Sequence, residues 1–331
     1  MTRLRTVSPQ DRGWTRRRAG KGFTYVDDAG KRLPQREADR IRSLAIPPAW
    51  EDVWICPVSN GHLQAVGTDD AGRRQYLYHP DWRAKQDELK FDRILDAAAQ
   101  FPKVRRRVTR DLHRSGMPSA RASAVAVRLL DLGYFRIGND VYTDVNGSFG
   151  LTTLERQHVR SVGKDLRFHF EGKGGLDQQV TVRDKDVAAA IAEMRRRRTG
   201  SQRVLAYRTD SGWADLEAAD VNAYLADVFD ADITAKDFRT WHATVHAAAA
   251  LASSPEPGDT QTSRRRAIKD AIEQVADYLG NTPTIARNSY VDPRVIDHYE
   301  SGETIAVPKA SGRSPLARQA TLEKAVRSLL A

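Results

Sequence analysis

The chain has 331 residues and a mass of 37.0 kDa, room for about two domains whose cores need no disulfide or metal staple. Hydrophobic residues at 40% and charged residues at 29% exclude a disordered chain, and the single cysteine, Cys56, excludes an intramolecular disulfide or a cysteine metal cage. No apolar run reaches the ~18 residues of a membrane helix and no signal-peptide core opens the chain, so a cytoplasmic protein is expected; 53 Lys and Arg against 43 Asp and Glu, a net +10, suit a polyanionic partner.

Residues 1–20 read as a basic arm. From there FTYVDDAGKRL, VWICPV and HLQAVGTDDAGRRQYLYH carry β-branched and aromatic residues around two Asp-Ala-Gly turns, which predicts a small antiparallel β-rich domain over 21–82. IPPAW breaks any helix, so LPQREADRIRSLA is a short one. Beyond Asp81 the apolar spacing becomes helical in DWRAKQDELKFDRILDAAAQ, PKVRRRVTRDLHR and SARASAVAVRLLDLG. HVRSVGKDLRFHFEGKGGLDQQVTV then reads as a hairpin turning at Gly-Lys-Gly-Gly. Helices resume in DKDVAAAIAEMRRRR, LEAADVNAYLADVF, AKDFRTWHATVHAAAALA and SRRRAIKDAIEQVADYLG, with the polar SSPEPGDTQTS as a loop between the last two. A short helical patch follows Tyr290, and VPKASGRSP reads as a linker before ATLEKAVRSLL. The expected architecture is α+β: a β-rich domain over 21–82, a larger mainly helical domain with an inserted hairpin over 83–299, and a C-terminal linker and helix over 300–331.

The charge is unevenly spread: +7 over residues 1–50, −3 over 51–100, +9 over 101–200, −6 over 201–300 and +3 beyond. In the basic middle stretch Arg105, Arg106 and Arg107 are the candidates for gripping a phosphate backbone. The arginine run 195–198 is either a phosphate site or a solvated helix end. His242 and His246 have zinc-helix spacing, but Ala243 stands where the general-base glutamate belongs, which favours packing or backbone contacts. GTDDAGRR lacks the Lys and Ser/Thr of a phosphate loop, and neither a serine elbow nor a two-metal carboxylate cluster is evident.

Five segments remain: YFRIGND, FEGKGG, KDFRTWHA, LGNTPT and ARNSYVDP. In this order they resemble the catalytic segments of the type IB DNA topoisomerases, particularly the compact poxvirus-like and bacterial members. IPPAWEDV and GRRQYLYH resemble segments of that family's small domain, so the likeness runs from about Gly22 to about Tyr299. The resemblance implies two lobes closing as a clamp around duplex DNA. It also implies relaxation of supercoils through a 3′-phosphotyrosyl intermediate at Tyr290, strand rotation and religation, with no ATP, other nucleotide, metal or cofactor. Such an enzyme would be a monomer associated with the nucleoid.

By the same resemblance Arg136 and Arg239 hold the non-bridging phosphate oxygens, a role suited to a planar, permanently charged fork. Lys173 is the general acid that protonates the leaving 5′-oxygen, and Lys236, at i, i+3 from Arg239, supports proton transfer. Asn281 stands where viral and eukaryotic relatives place a histidine; an amide donates a hydrogen bond but carries no charge. Gln75, Tyr76 and Tyr78 match residues that contact DNA in the major groove, and on an alternating strand the two tyrosines share one face, either core or contact. The alternatives are a tyrosine site-specific recombinase and a non-catalytic DNA-binding protein of the same fold. Against the first, Lys-Asp-Phe-Arg stands where recombinases usually have His-x-x-Arg, and the N-terminal domain reads as strands.

Overall fold

The computed structural model describes residues 3–138, 147–254, 260–308 and 314–331. Asn139 and Asp140 of YFRIGND, residues 255–259 of the polar loop and 309–313 of the linker lie outside the described residues. The fold is α+β, in two compact units, Met1–Phe91 and Asp92–Ala331.

The first unit is one antiparallel sheet of β1 (Trp14–Ala19), β2 (Gly22–Val26), β3 (Glu51–Ile55), β4 (Leu63–Thr68) and β5 (Arg74–Tyr78), ordered β2-β1-β3-β4-β5. Helix α1 (Gln35–Ser43) buries Ala38 and Ile41 in a core with Tyr25, Val53, Ile55 and Ala65. Both Asp-Ala-Gly turns close alike. Asp27 accepts from the amides of Ala29 and Lys31, Asp69 from those of Ala71 and Arg73, and Gly30 and Gly72 take the left-handed φ of 79° and 74°.

The arm expected over residues 1–20 is corrected here: Trp14–Ala19 is strand β1, paired with β2 and β3. WTRRRA shows no apolar alternation because Arg16 takes an inward position. Its guanidinium lies 4.1 Å from the Phe23 ring centre and donates to the carbonyls of Ile46 and Pro47, so IPPAW is held by a cation on the sheet.

The boundary between units falls inside α2 (Pro80–Ala98). In the second unit, α3 (Phe101–Leu112) is followed by α4 (Ser119–Gly133), whose residues 122–131 are buried without interruption, as befits a helix at the centre of a core. An antiparallel sheet follows of β6 (Val159–Val162), β7 (Asp165–Gly172) and β8 (Leu176–Val182); β7–β8 is the expected hairpin, and β6 adds a third strand beside it. Then come α5 (Lys185–Arg195), β9 (Ala206–Thr209), β10 (Gly212–Asp215), α6 (Ala218–Phe229), α7 (Ala235–Ala252), α8 (Gln261–Leu279), α9 (Pro283–Ser289), α10 (Pro293–Glu300) and α11 (Pro315–Leu330). Hairpin β9–β10 lies in a stretch for which the sequence predicts no element. The arginine run 195–198 fits neither of its two readings at Arg197, which is buried and donates to the carbonyls of Met194 and Val204, closing the end of α5 from inside.

Candidate active site

Helix α4 ends at Tyr134, in the left-handed conformation at φ 55°, and the chain then runs without regular structure through Arg136. That run is pinned by Leu151 and Thr152, whose amides donate to the carbonyls of Arg136 and Ile137 at 2.8 Å. The crossing needs glycine, since a Cβ on Gly150 would lie 2.4 Å from Gly138 Cα. Arg136 therefore projects from a braced segment.

Arg239 sits in the second turn of α7, whose start is fixed by Asp237 accepting from both the amide and the hydroxyl of Thr234. LGNTPT explains the next bend: Leu279 ends α8, Gly280 takes φ 60°, Thr282 accepts from the Ile285 amide, and Pro283 opens α9. The carbonyls left at the end of α8 receive both arginines. Arg136 donates to Gly280 O at 2.8 Å and to Asn281 Oδ1 at 2.5 Å; Arg239 donates to Leu279 O at 2.8 Å and to Tyr134 O. Neither arginine has a carboxylate partner among the described residues, and their attraction is to the negative end of a helix dipole.

Tyr290 lies in the connection between α9 and α10, nearly buried, with the Arg239 guanidinium carbon 5.6 Å from its ring centre. The Thr244 hydroxyl donates to Tyr290 O at 3.3 Å and accepts from the Asp292 amide at 3.1 Å, tying this connection to α7 one turn beyond Arg239. Burial first, and then the neighbouring charge of Arg136, push the Arg239 pKa down to about 10, with Tyr290 acting the other way. The guanidinium stays charged at neutral pH. Two buried donors have no partner in the site, Arg239 Nε and Asn281 Nδ2.

Lys173 occupies the β7–β8 turn, between Gly172 and two glycines at φ 80° and 73°, and lines the same cleft as Arg136, Arg239, Leu279 and Gly280. Lys236 is exposed on the first turn of α7 and is not among the residues lining that cleft. The structure thus gathers Arg136, Arg239, Asn281 and Tyr290 tightly, with Lys173 at the cleft edge. Side-chain motifs gave no sign of the carbonyls of Tyr134, Leu279 and Gly280, nor of Thr244, although the Leu-Gly pair foretells an exposed helix end.

The candidate DNA contacts divide. Tyr76 is 47% exposed, and its ring stacks 6.1 Å from Tyr78, which in turn stacks 4.2 Å from Trp82, so the shared tyrosine face is an aromatic ladder outside the core. Gln75 is half-buried and donates to Asp69. Arg106 is exposed, and Arg107 bridges Asp111 and Asp227 at the surface. Arg105 is corrected: it faces inward and donates to both Asp131 and Glu323 at 2.7–2.8 Å, leaving nothing for a phosphate. Asp131, Glu323 and His242 have the spacing of a metal cluster, but Arg105 already fills the role of the cation there. His246 lies against the Tyr278 ring instead.

The model of the eukaryotic DNA topoisomerase I catalytic core matches residues 79–306, and that of the bacterial DNA topoisomerase IB N-terminal domain matches residues 22–69. The chain belongs to the type IB DNA topoisomerases. Among relatives of this family, the mimivirus DNA topoisomerase 1B is 27% identical over 87% of this chain and 88% of its own. DNA topoisomerase 1 of rabbit fibroma virus is 23% identical over 84% of this chain and 89% of its own. A solved XerH site-specific recombinase bound to its palindromic difH substrate aligns with a TM-score of 0.37 at 11% identity, over 71% of this chain and 58% of that one, too loose a likeness to carry weight. No described helix of this topoisomerase is long and apolar enough to cross a membrane.

Proposed function

We propose that the chain relaxes supercoiled duplex DNA as a monomer by opening and resealing one strand, with Tyr290 as nucleophile. The phenolic oxygen of Tyr290, releasing its proton to solvent, attacks phosphorus, the bond from phosphorus to the 5′-oxygen breaks, and a 3′-phosphotyrosyl ester forms. The departing 5′-oxygen takes a proton from Lys173, and religation returns it. Because the ester conserves the bond energy, no ATP is consumed and no metal is called for. Arg136, Arg239 and Asn281 meet the charge that develops on the non-bridging oxygens. Lys236, at the surface near the head of α7, assists the proton traffic once DNA covers it. Gln75, Tyr76, Tyr78 and Arg106 contact DNA away from the break.

One observation carries this reading: two arginines with no carboxylate partner among the described residues and an amide with an unused N–H converge beside a nearly buried tyrosine. Such a set has positive potential and open donors where a phosphodiester would supply negative oxygens. The test is relaxation of supercoiled plasmid in EDTA without ATP, with the covalent complex trapped and its adduct mapped. Wild type should relax the plasmid and carry the adduct on Tyr290; relaxation by Tyr290→Phe would overturn the assignment.

A further inference from the structure

The matched catalytic core stops at residue 306, yet α11, over Pro315–Leu330, is docked on α7 and buries Leu322, Glu323, Val326 and Leu330. Apolar burial alone would account for a helix that covers a core edge. Its polar contacts are more specific. Gln319 Nε2 donates to His242 Nδ1 at 3.0 Å and to Glu323 Oε1 at 3.1 Å. On the other side of the ring, Nε2 faces Asp131 Oδ1 at 3.3 Å, near but not aligned as a hydrogen bond. Glu323 and Asp131 share Arg105. All of these groups except Gln319 and Arg105 are almost fully buried, so their geometry is set by one another and not by solvent.

This network ends against the site proposed above. His242 lies one turn after Arg239 on α7, and its ring meets Tyr134 edge-on, with centroids 4.7 Å apart and planes at 87°. Tyr134 is the left-handed residue whose carbonyl accepts from Arg239. Asp131 is three residues before it at the end of the same helix. A shift of His242 would therefore disturb the Tyr134 carbonyl and, with it, the guanidinium over Tyr290.

We propose that the C-terminal helix is a positioning element of the active site, in which Gln319 and Glu323 lock His242, and His242 with Tyr134 sets the position of Arg239. Gln319 and Glu323 are positioning residues; they do not touch the site itself. The inference rests on the proposed role of Arg239 at the phosphate.

The experiment is single-turnover cleavage of a suicide DNA substrate at saturating enzyme, with DNA dissociation constants and thermal midpoints measured alongside. Gln319→Ala should slow cleavage about ten-fold with binding and midpoint little changed, an effect in the range found for coupled neighbours. Lys324→Ala, on the exposed face of the same helix, should cleave as wild type. In an Arg239→Lys background, whose slower cleavage remains measurable, Gln319→Ala should cost nothing more. Wild-type cleavage by both Gln319→Ala and Glu323→Gln would overturn the proposal, as would an equal loss in the Arg239→Lys background. If Gln319→Ala does not fold, Glu323→Gln is read by the same criteria. Failure of the underlying reading looks different, because wild type would then form no adduct at Tyr290.

Discussion

Two buried arginine sites lie close together in the second unit and are built on opposite rules. At Arg105 burial would lower the guanidinium pKa, but Asp131 and Glu323 more than offset it and hold the pKa above its ordinary value. Every donor there that points inward has a carboxylate. At Arg239 burial and the charge of Arg136 act together, and against them stand Tyr290 and backbone carbonyls, with no carboxylate among the described residues. The first site is complete without a ligand, whereas the second holds excess positive charge that a bound phosphate would neutralise. Charge count along the chain cannot separate the two, since each is an arginine in a buried setting; the partners decide.

The largest separation should come from alanine at each site. Arg105→Ala leaves two carboxylates buried without a cation, and breaking a buried pair in this way costs about 3–5 kcal/mol, read as a lower urea midpoint. Cleavage by whatever remains folded should fall by no more than about ten-fold, because Arg105 reaches Arg239 only through Asp131, Glu323 and His242. Arg239→Ala and Arg136→Ala should show the inverse: cleavage falling by ~100- to 1000-fold, the cost of removing one preorganised donor, with smaller loss of stability and DNA binding largely kept. Comparable stability losses at Arg105 and Arg239 would erase the distinction.

A smaller effect tests the compensated site by pH. Burial would raise the Asp131 pKa, but Arg105 and His242 prevail and depress it well below the ordinary carboxylate value. A depressed folded-state pKa gives stability that is present above the unfolded pKa of about 3.8 and is lost as pH falls toward the folded value. Between about pH 4 and pH 2 the unfolding free energy of wild type should therefore decline more steeply than that of Asp131→Asn. Equal slopes would mean that Asp131 is not held ionised.

How much of this was legible in the sequence follows the same division. Helices α4 and α7 and the hairpin β7–β8 show through apolar period and glycine placement, and the catalytic segments show through their order in the chain. The arginines of α3 do not sort by charge, but they do by helical position. Phe101, Val104, Val108, Asp111 and Leu112 form its buried stripe, and Arg105, four residues after Phe101 and three before Val108, falls on that stripe while Arg106 does not. What no linear pattern carries is the receiving side: the carbonyls of Tyr134, Leu279 and Gly280, and a glutamate 218 residues after Arg105. Strand β1 was hidden for a related reason, an arginine taking the inward place where an apolar residue signals a strand.

Asn281 sharpens the uncompensated site by a lesser amount. Its Oδ1 already accepts from Arg136, and only Nδ2 remains to meet a phosphate oxygen. Histidine at this position could donate through a ring nitrogen, although it would give up the bond to Arg136 unless the other nitrogen accepts it. Asn281→His should keep the single-turnover cleavage rate within about an order of magnitude, since one neutral hydrogen bond contributes about 1 kcal/mol. A loss of several orders would mean that Asn281 acts chiefly by holding Arg136.

The smallest effect is expected at Arg106, and it separates recruitment of DNA from chemistry on it. Arg106 is exposed on α3, beside the inward Arg105 and the carboxylate-bound Arg107, so it is the member of the triplet best placed to meet a phosphate. A single phosphate contact contributes about 0.9 to the slope of log affinity against log salt on duplex DNA. Arg106→Ala should reduce that slope by about one contact and weaken binding a few-fold at low salt, while the cleavage rate at saturating enzyme stays as in wild type. Arg107→Ala should change the slope less, because its guanidinium already faces Asp111 and Asp227. If Arg107→Ala has the larger effect, DNA draws Arg107 away from its carboxylates, and the surface pair is a labile store of positive charge that the duplex can recruit.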